Sequence, residues 1–325
     1  MLSVRFLLLF LFAIYFCLPQ TLFSAGKDAF AFLLVGPGAR PSGMGESYVA
    51  VAEGAETLNW NPAGIAFERQ RQWFFGHLFF VEGSLIDSLA MVLPFRHGAW
   101  GIQMGTTGVG GLTRTVVDST VPDGFREVGD FSTYGLDFSL SFAEKVTDTF
   151  SLGATVRGIR QSLSDETANA CSVDAGFLYR DDENPLQIGC AVQHLGSNVQ
   201  FRNETFNLPR LARMGFALRQ LKDSKLKGIP PGSLASLEVS RLWDESDNSI
   251  GGGVEVPLLN QTLFLRSGYH TILNDQNLGT QISLPNGFDF GIGFLSNGYR
   301  LDYALGSMGE LGLIHRLSIS IKFES

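Results

Sequence analysis

Apolar and polar residues alternate with a period of two through the last third of this chain, whose final such segment reads Leu317-Ser318-Ile319-Ser320-Ile321-Lys322-Phe323. Successive side chains of a strand point to opposite faces, so such a segment is a ribbon with one greasy and one wet side. The pattern recurs upstream. Tyr134, Leu136, Phe138, Leu140 and Phe142 alternate with Thr133, Gly135, Asp137, Ser139 and Ser141. Phe150, Leu152, Ala154 and Val156 alternate with Ser151, Gly153, Thr155 and Arg157. Phe288, Phe290, Ile292 and Phe294 alternate with Asp289, Gly291 and Gly293. About fifteen such segments follow one another from Trp73 to Phe323. Single-chain bacterial barrels close with an even number of antiparallel strands, so fourteen is the expected count.

The wet faces repeatedly carry a full charge: Asp137, Arg157, Asp174, Arg266, Asp289, Arg300 and Asp302. Many such strands closed into a ring give a polar lumen, in which opposite charges can pair across the interior. Composition agrees, with 27 Phe, 38 Gly and only 17% charged residues in 325. The fold expected is all-β: a transmembrane antiparallel β-barrel of about fourteen strands with an N-terminal segment plugging the lumen. The alternative is a soluble secreted β-sandwich binding module, whose strands also alternate.

The start of the chain has the pattern of a secretory signal over residues 1–25, with Arg5 before an apolar run from Phe6 to Leu18 and small residues at Ser24-Ala25. No later stretch is long and apolar enough for a transmembrane helix. Residues 26–70 are expected to form the plug segment and 71–325 the barrel. A net charge of -8 without a basic cluster argues against nucleic acid as a partner. Cys171 and Cys190 are expected to be free, packed thiols, because a hairpin between them leaves them out of register. The histidines show no metal-ligand spacing, no cofactor is implied, and no nucleophile elbow, zinc-protease motif or phosphate loop occurs. His315 with Asp302 and a serine could be assembled into a triad, but a non-enzymatic role is expected. Long connections are expected at Thr107–Asp130, Ser197–Leu208 and Gln220–Gly232, and short turns at Asp181–Pro185, Ser296–Gly298 and Pro285–Gly287. Trp73, Phe74, Phe75, Phe79 and Phe80 are expected to contribute to an interfacial aromatic girdle.

The N-terminal segment is different in kind. Gly43-Met44-Gly45, then Tyr48 to Ala52, then Asn59-Trp60-Asn61-Pro62-Ala63-Gly64 crowd small residues where backbones can approach closely. A short helix is expected through Ala55–Asn59, ending before Pro62. Asn59, Asn61 and Pro62 are expected to hold the segment in place, the asparagine amides satisfying buried backbone groups. The run from Gly38 to Ala52, the Trp60–Gly64 motif, and the closing Leu301–Leu305, Gly309, Leu311-Gly312 and His315–Ser320 together resemble the PorV/PorQ family. The Asn-Pro-Ala core is also similar to the N-terminal plug of FadL-type channels. The resemblance implies a fourteen-stranded outer-membrane barrel with the N-terminal segment inside, including Gly43, Met44, Gly45, Asn59, Asn61, Pro62 and Gly64. It implies partners among outer-membrane lipid, hydrophobic small molecules, or exported proteins and secretion components.

Overall fold

A computed structural model describes residues 29–323, apart from 122–123, 202–203, 222–227, 244–247 and 274–286. The expected export signal and most of the expected Pro285–Gly287 turn lie outside the described residues. The strands are β1 (Arg71–Phe79), β2 (Leu85–Phe95), β3 (Gly98–Val117), β4 (Phe125–Lys145), β5 (Phe150–Leu163), β6 (Glu166–Tyr179), β7 (Leu186–Gly196), β8 (Val199–Phe201) and β9 (Glu204–Phe206). They continue with β10 (Leu211–Arg219), β11 (Leu234–Leu242), β12 (Asn248–Leu258), β13 (Leu263–Ile272), β14 (Phe288–Ser296), β15 (Tyr299–Ser307) and β16 (Leu313–Phe323). All but β8 and β9 join one closed antiparallel ring of fourteen, sealed where Arg71 to Phe79 of β1 pair with Phe323 to His315 of β16. β8 and β9 form a separate small hairpin. Closure rules out the two-sheet sandwich, and it leaves no strand edge in the ring with unpaired backbone groups, as a lipid-embedded sheet requires.

The alternation sets which side faces out. Phe138 and Phe290 are 55% and 53% exposed, whereas Asp137, Asp289 and Ser139 are buried. Trp73, Phe75 and Phe79 point outward, but Phe74 is buried inside. The aromatic run is therefore split by the pleat: three of the five belong to the outer surface, Phe74 to the core, and half-buried Phe80 lines an interior cavity. Near the short-turn rim, Phe95 stacks on Phe142 and Trp100 tilts against the same ring. Both described cysteines are free, and register places Cys190 opposite Phe177 and Cys171 opposite Gly158. Cys171 is exposed on the outer face rather than packed.

Two expected loops are largely strand. Between Thr107 and Asp130 the chain continues β3 and β4, which pair with each other from Val109/Thr133 to Val117/Phe125 after their outer neighbours have ended. The Thr- and Val-rich flanks favour extended backbone more strongly than the interspersed glycines oppose it. The result is a two-stranded ribbon standing roughly 25 Å beyond the rim. Between Ser197 and Leu208 lies the β8–β9 hairpin. Short turns such as Ser296–Tyr299 mark one rim, and most longer connections mark the other. The β10–β11 connection is the exception, lying on the short-turn rim.

The lumen-facing glycines position everything that follows. A Cβ at Gly153 would overlap the backbone of Pro62 and Ala63, and one at Gly268 would overlap the backbone of Met44 and Gly45. Gly251 and Gly253 sit within β12, where a Cβ would meet the Gly45 and Met44 carbonyls.

Candidate functional site

Residues 29–68 run against the inward faces of the strands on all sides of the ring. A 3-10 turn at Ala31–Leu34 lies at the long-connection rim, where Ala29 N–H donates to the Asn207 carbonyl at 2.9 Å. A short helix, Ala39–Gly43, packs on β13 to β16. Two further 3-10 turns, Ala55–Asn59 and Pro62–Phe67, pack on β1 to β6. Pro62 opens the second of these, because its fixed φ and missing N–H suit a first helical position.

Each predicted N-terminal residue has a definite place. Gly43 lies against Gly291, and Met44 is fully buried. Gly45 has φ +62° and abuts the backbone of Gly252 and Tyr269, so both conformation and space demand glycine. Asn59 accepts from Gln103 through its side chain and from Gln193 through its carbonyl at 3.0 Å. Asn61 Nδ2 donates to the carbonyls of Val49 and Phe177, both at 2.9 Å, while Oδ1 accepts from Ala63 N–H at 3.1 Å. A Cβ at Gly64 would overlap Ala52.

The predicted lumen charges pair sideways along the wall rather than across the interior, which the N-terminal segment occupies. Arg157 on β5 reaches Asp137 on β4 at 2.6 Å and Asp174 on β6 at 3.4 Å. Arg266 Nε donates to Glu255 at 2.6 Å, and its Nη1 lies 2.8 Å from Asp302, out of line for a hydrogen bond. Asp289 stands apart, with His270 Nδ1 2.9 Å from its Oδ2. Asp302 faces inward and His315 outward, the latter bonded to Tyr303 at 2.7 Å, so the imagined triad does not assemble.

The wall and segment meet at Arg40. Its guanidinium donates to both oxygens of Glu255 at 2.8 Å, to Glu53 at 3.0 Å and to the Tyr48 hydroxyl at 2.9 Å. Burial opposes ionisation of Glu53, but Arg219, Arg180 and Arg40 together hold its carboxyl well below the usual range. Glu56 differs. Burial, reinforced by Asp302 and opposed by Arg40 and Arg300, pushes it up to about 7.

A cavity of about 310 Å³ opens between the segment and β10 to β13, toward the long-connection rim. Its apolar side is built from Leu34, Val35, Phe80, Leu242, Ile250 and Ile272. Its polar end holds Glu46, Arg213, Glu238, His270 and Arg316. Burial works against ionisation of Glu46, but His270, Arg316 and Arg213 outweigh it and keep the carboxyl below its usual range. Sequence reasoning missed Arg40, Glu255 and this polar end. Glu238 and Glu255 occupy wet positions between Leu237 and Val239, and between Val254 and Val256, so the same alternation could have found them.

No protein-family model matches the sequence, and no curated protein matches it. Solved structures do. The toluene transporter TbuX of Ralstonia pickettii superposes with a TM-score of 0.60 at 15% identity, covering 90% of this chain and 100% of that one. The toluene transporter TodX of Pseudomonas putida gives 0.59 at 14% identity, covering 92% and 99%. A Pseudomonas aeruginosa FadL homologue gives 0.56 at 11% identity, covering 88% and 98%. What this chain shares with these proteins is the architecture of a FadL-like barrel.

Proposed function

We propose that this chain is a non-enzymatic channel of the bacterial outer membrane that takes up hydrophobic small molecules. In this reading residues 1–25 are the export signal, residues 26–70 the plug and residues 71–325 the barrel. Asn61, Arg40 and the close contacts at Gly43–Gly45 keep the plug seated. The observation that carries the reading is the apolar-sided cavity between segment and wall, open toward the rim with the longer connections, which in outer-membrane barrels is extracellular. The likeness in fold to structures described as toluene transporters supports it. Among the described residues the seated segment packs against strands on all sides of the ring, so passage requires the segment to shift or the wall to part. Proteoliposomes containing the protein should accumulate a labelled hydrophobic probe faster than empty ones. Ser240→Trp, which fills the cavity from β11, should abolish the difference; no uptake by the wild type refutes the reading.

The β3–β4 ribbon favours a second reading, in which the barrel is an adaptor for exported proteins, as the PorV/PorQ resemblance implies. An isolated two-stranded ribbon is marginal in water, and this one exposes Val117, Phe125 and Val128. Secreted proteins co-purifying with the wild type, and lost when residues 110–131 are removed, would support that role; their absence counts against it.

A further inference from the structure

The polar end of the cavity specifies more than apolarity. Arg213 Nη1 donates to Glu238 at 2.8 Å, Nε donates to Gln193 at 2.9 Å, and the guanidinium lies 4.5 Å from the Trp60 ring centroid. Glu238 is consumed as well, since its other oxygen accepts from Tyr48 and Val49 N–H, both at 2.8 Å. Arg316 donates to the Gly36 carbonyl at 3.1 Å, to Ser42 and to Glu46 at 3.1 Å. Both guanidiniums are therefore bound to protein acceptors and nearly fully buried. Among the charged and imidazole side chains of the polar end, Glu46 and His270 are the more open to the cavity, 26% and 28% exposed, while Ser240 and Ser249, which also line it, bond to each other at 2.6 Å.

The charges facing one another are Glu46, Glu238 and Asp289 against Arg213, Arg316 and His270. Even with His270 protonated the set is neutral, and with His270 neutral it carries one excess negative charge. An anionic headgroup would add charge of the wrong sign beside Glu46 and find no unpaired cation. Asp289 takes one imidazole nitrogen of His270 and leaves Nε2 without a partner among the described residues. A hydroxyl suits that nitrogen in either protonation state, donating to a bare Nε2 or accepting from Nε2–H.

We infer that the cavity selects an uncharged ligand with an apolar body of one or two rings and a single hydroxyl, which His270 takes in hydrogen bond while Glu46 and the paired arginines exclude carboxylates. This rests on the cavity being the uptake site proposed above, and it narrows the ligand to a phenol- or alcohol-like class. At about 310 Å³ the space is at the small end of ligand pockets.

The test is calorimetric titration of the protein in lipid nanodiscs at neutral pH, corrected for empty discs, with 2-naphthol, 2-methylnaphthalene and 2-naphthoate. 2-Naphthol should bind best, 2-methylnaphthalene about threefold or more weaker for want of one hydrogen bond, and 2-naphthoate at least roughly tenfold weaker. His270→Leu should erase the advantage of naphthol over methylnaphthalene while sparing methylnaphthalene binding; His270→Gln should keep part of it. Naphthoate binding as tightly as naphthol, methylnaphthalene matching naphthol in the wild type, or a preference that survives His270→Leu overturns the inference and leaves the uptake site standing. Binding of none of the three overturns both.

Discussion

Arg40 of the N-terminal segment and Glu255 of β12 meet through two parallel hydrogen bonds of 2.8 Å, with side chains only 5% and 3% exposed. Fork-to-fork geometry of this kind is directional as well as strong. Arg266 and Arg300 also bind Glu255, so the wall carboxylate is shared between one arginine that belongs to the segment and two that belong to the barrel.

Arg40→Met should therefore release the segment without collapsing the ring. Glu255 keeps Arg266 and Arg300, and Glu53 keeps Arg180 and Arg219. Losing one member of a buried ion pair costs on the order of 3 kcal/mol. Hydrogen–deuterium exchange should rise across residues 44–60 while the strands stay protected. Unchanged protection of that stretch would show that the pair is not what seats it.

Asn61 links the segment to itself and to the wall in one side chain. Asn61→Ala leaves the Val49 and Phe177 carbonyls without their amide donor, at a cost of about 2 kcal/mol. Single-channel conductance in planar bilayers should increase. Asn61→Asp keeps the acceptor for Ala63 N–H but turns a second oxygen toward the Val49 and Phe177 carbonyls, and its conductance should rise at least as far as that of Asn61→Ala.

The lumen glycines give a sharper steric contrast. Gly153→Ala and Gly268→Ala each push a methyl group into the backbone of the segment, whereas the Cβ direction at Gly158 meets nothing within 4 Å. The first two should raise protease sensitivity of the N-terminal segment, and Gly158→Ala should behave like wild type. Equal behaviour of all three would mean that the segment does not lie against β5 and β13.

The division of faces was legible because period-two alternation is a local property: Phe138 and Asp137 declare their sides without reference to any other strand. Fourteen strands followed from that pattern and from closure. Partner choice was not legible, because alternation says nothing about which strand or segment stands opposite. Arg157 was readable as an inward charge, but its sharing between Asp137 and Asp174 depends on the register of three strands. The β3–β4 ribbon was obscured by Gly108, Gly110 and Gly111; the last two fall at a register shift, and pairing resumes beyond them at Leu112/Phe131. Arg40 lay inside the Gly38–Ala52 run, yet only the closed ring reveals that a carboxylate more than two hundred residues away completes it.

Glu56 gives the segment a dependence on pH. The Tyr48 hydroxyl lies 3.0 Å from both Glu56 Oε1 and the Glu53 carbonyl and has one hydrogen to give. A Glu56 protonated on Oε1 resolves the shortage by donating to the tyrosine oxygen, and it leaves the partnerless Oε2 as a neutral carbonyl oxygen rather than part of a buried carboxylate. Burial, the largest influence, raises its pKa to about 7 against an ordinary 4.5. The folded protein therefore binds this proton more tightly than the unfolded chain. The resulting stabilisation is full below about pH 4.5, declines as pH rises, and is gone above about 7. It amounts to about 3 kcal/mol in order of magnitude. Hydrogen–deuterium exchange around Tyr48 and Glu56, corrected for intrinsic rates, should show greater protection at pH 5.5 than at pH 8.5. Glu56→Gln should keep that protection at both. If Glu56→Gln retains the full pH dependence, another group is responsible.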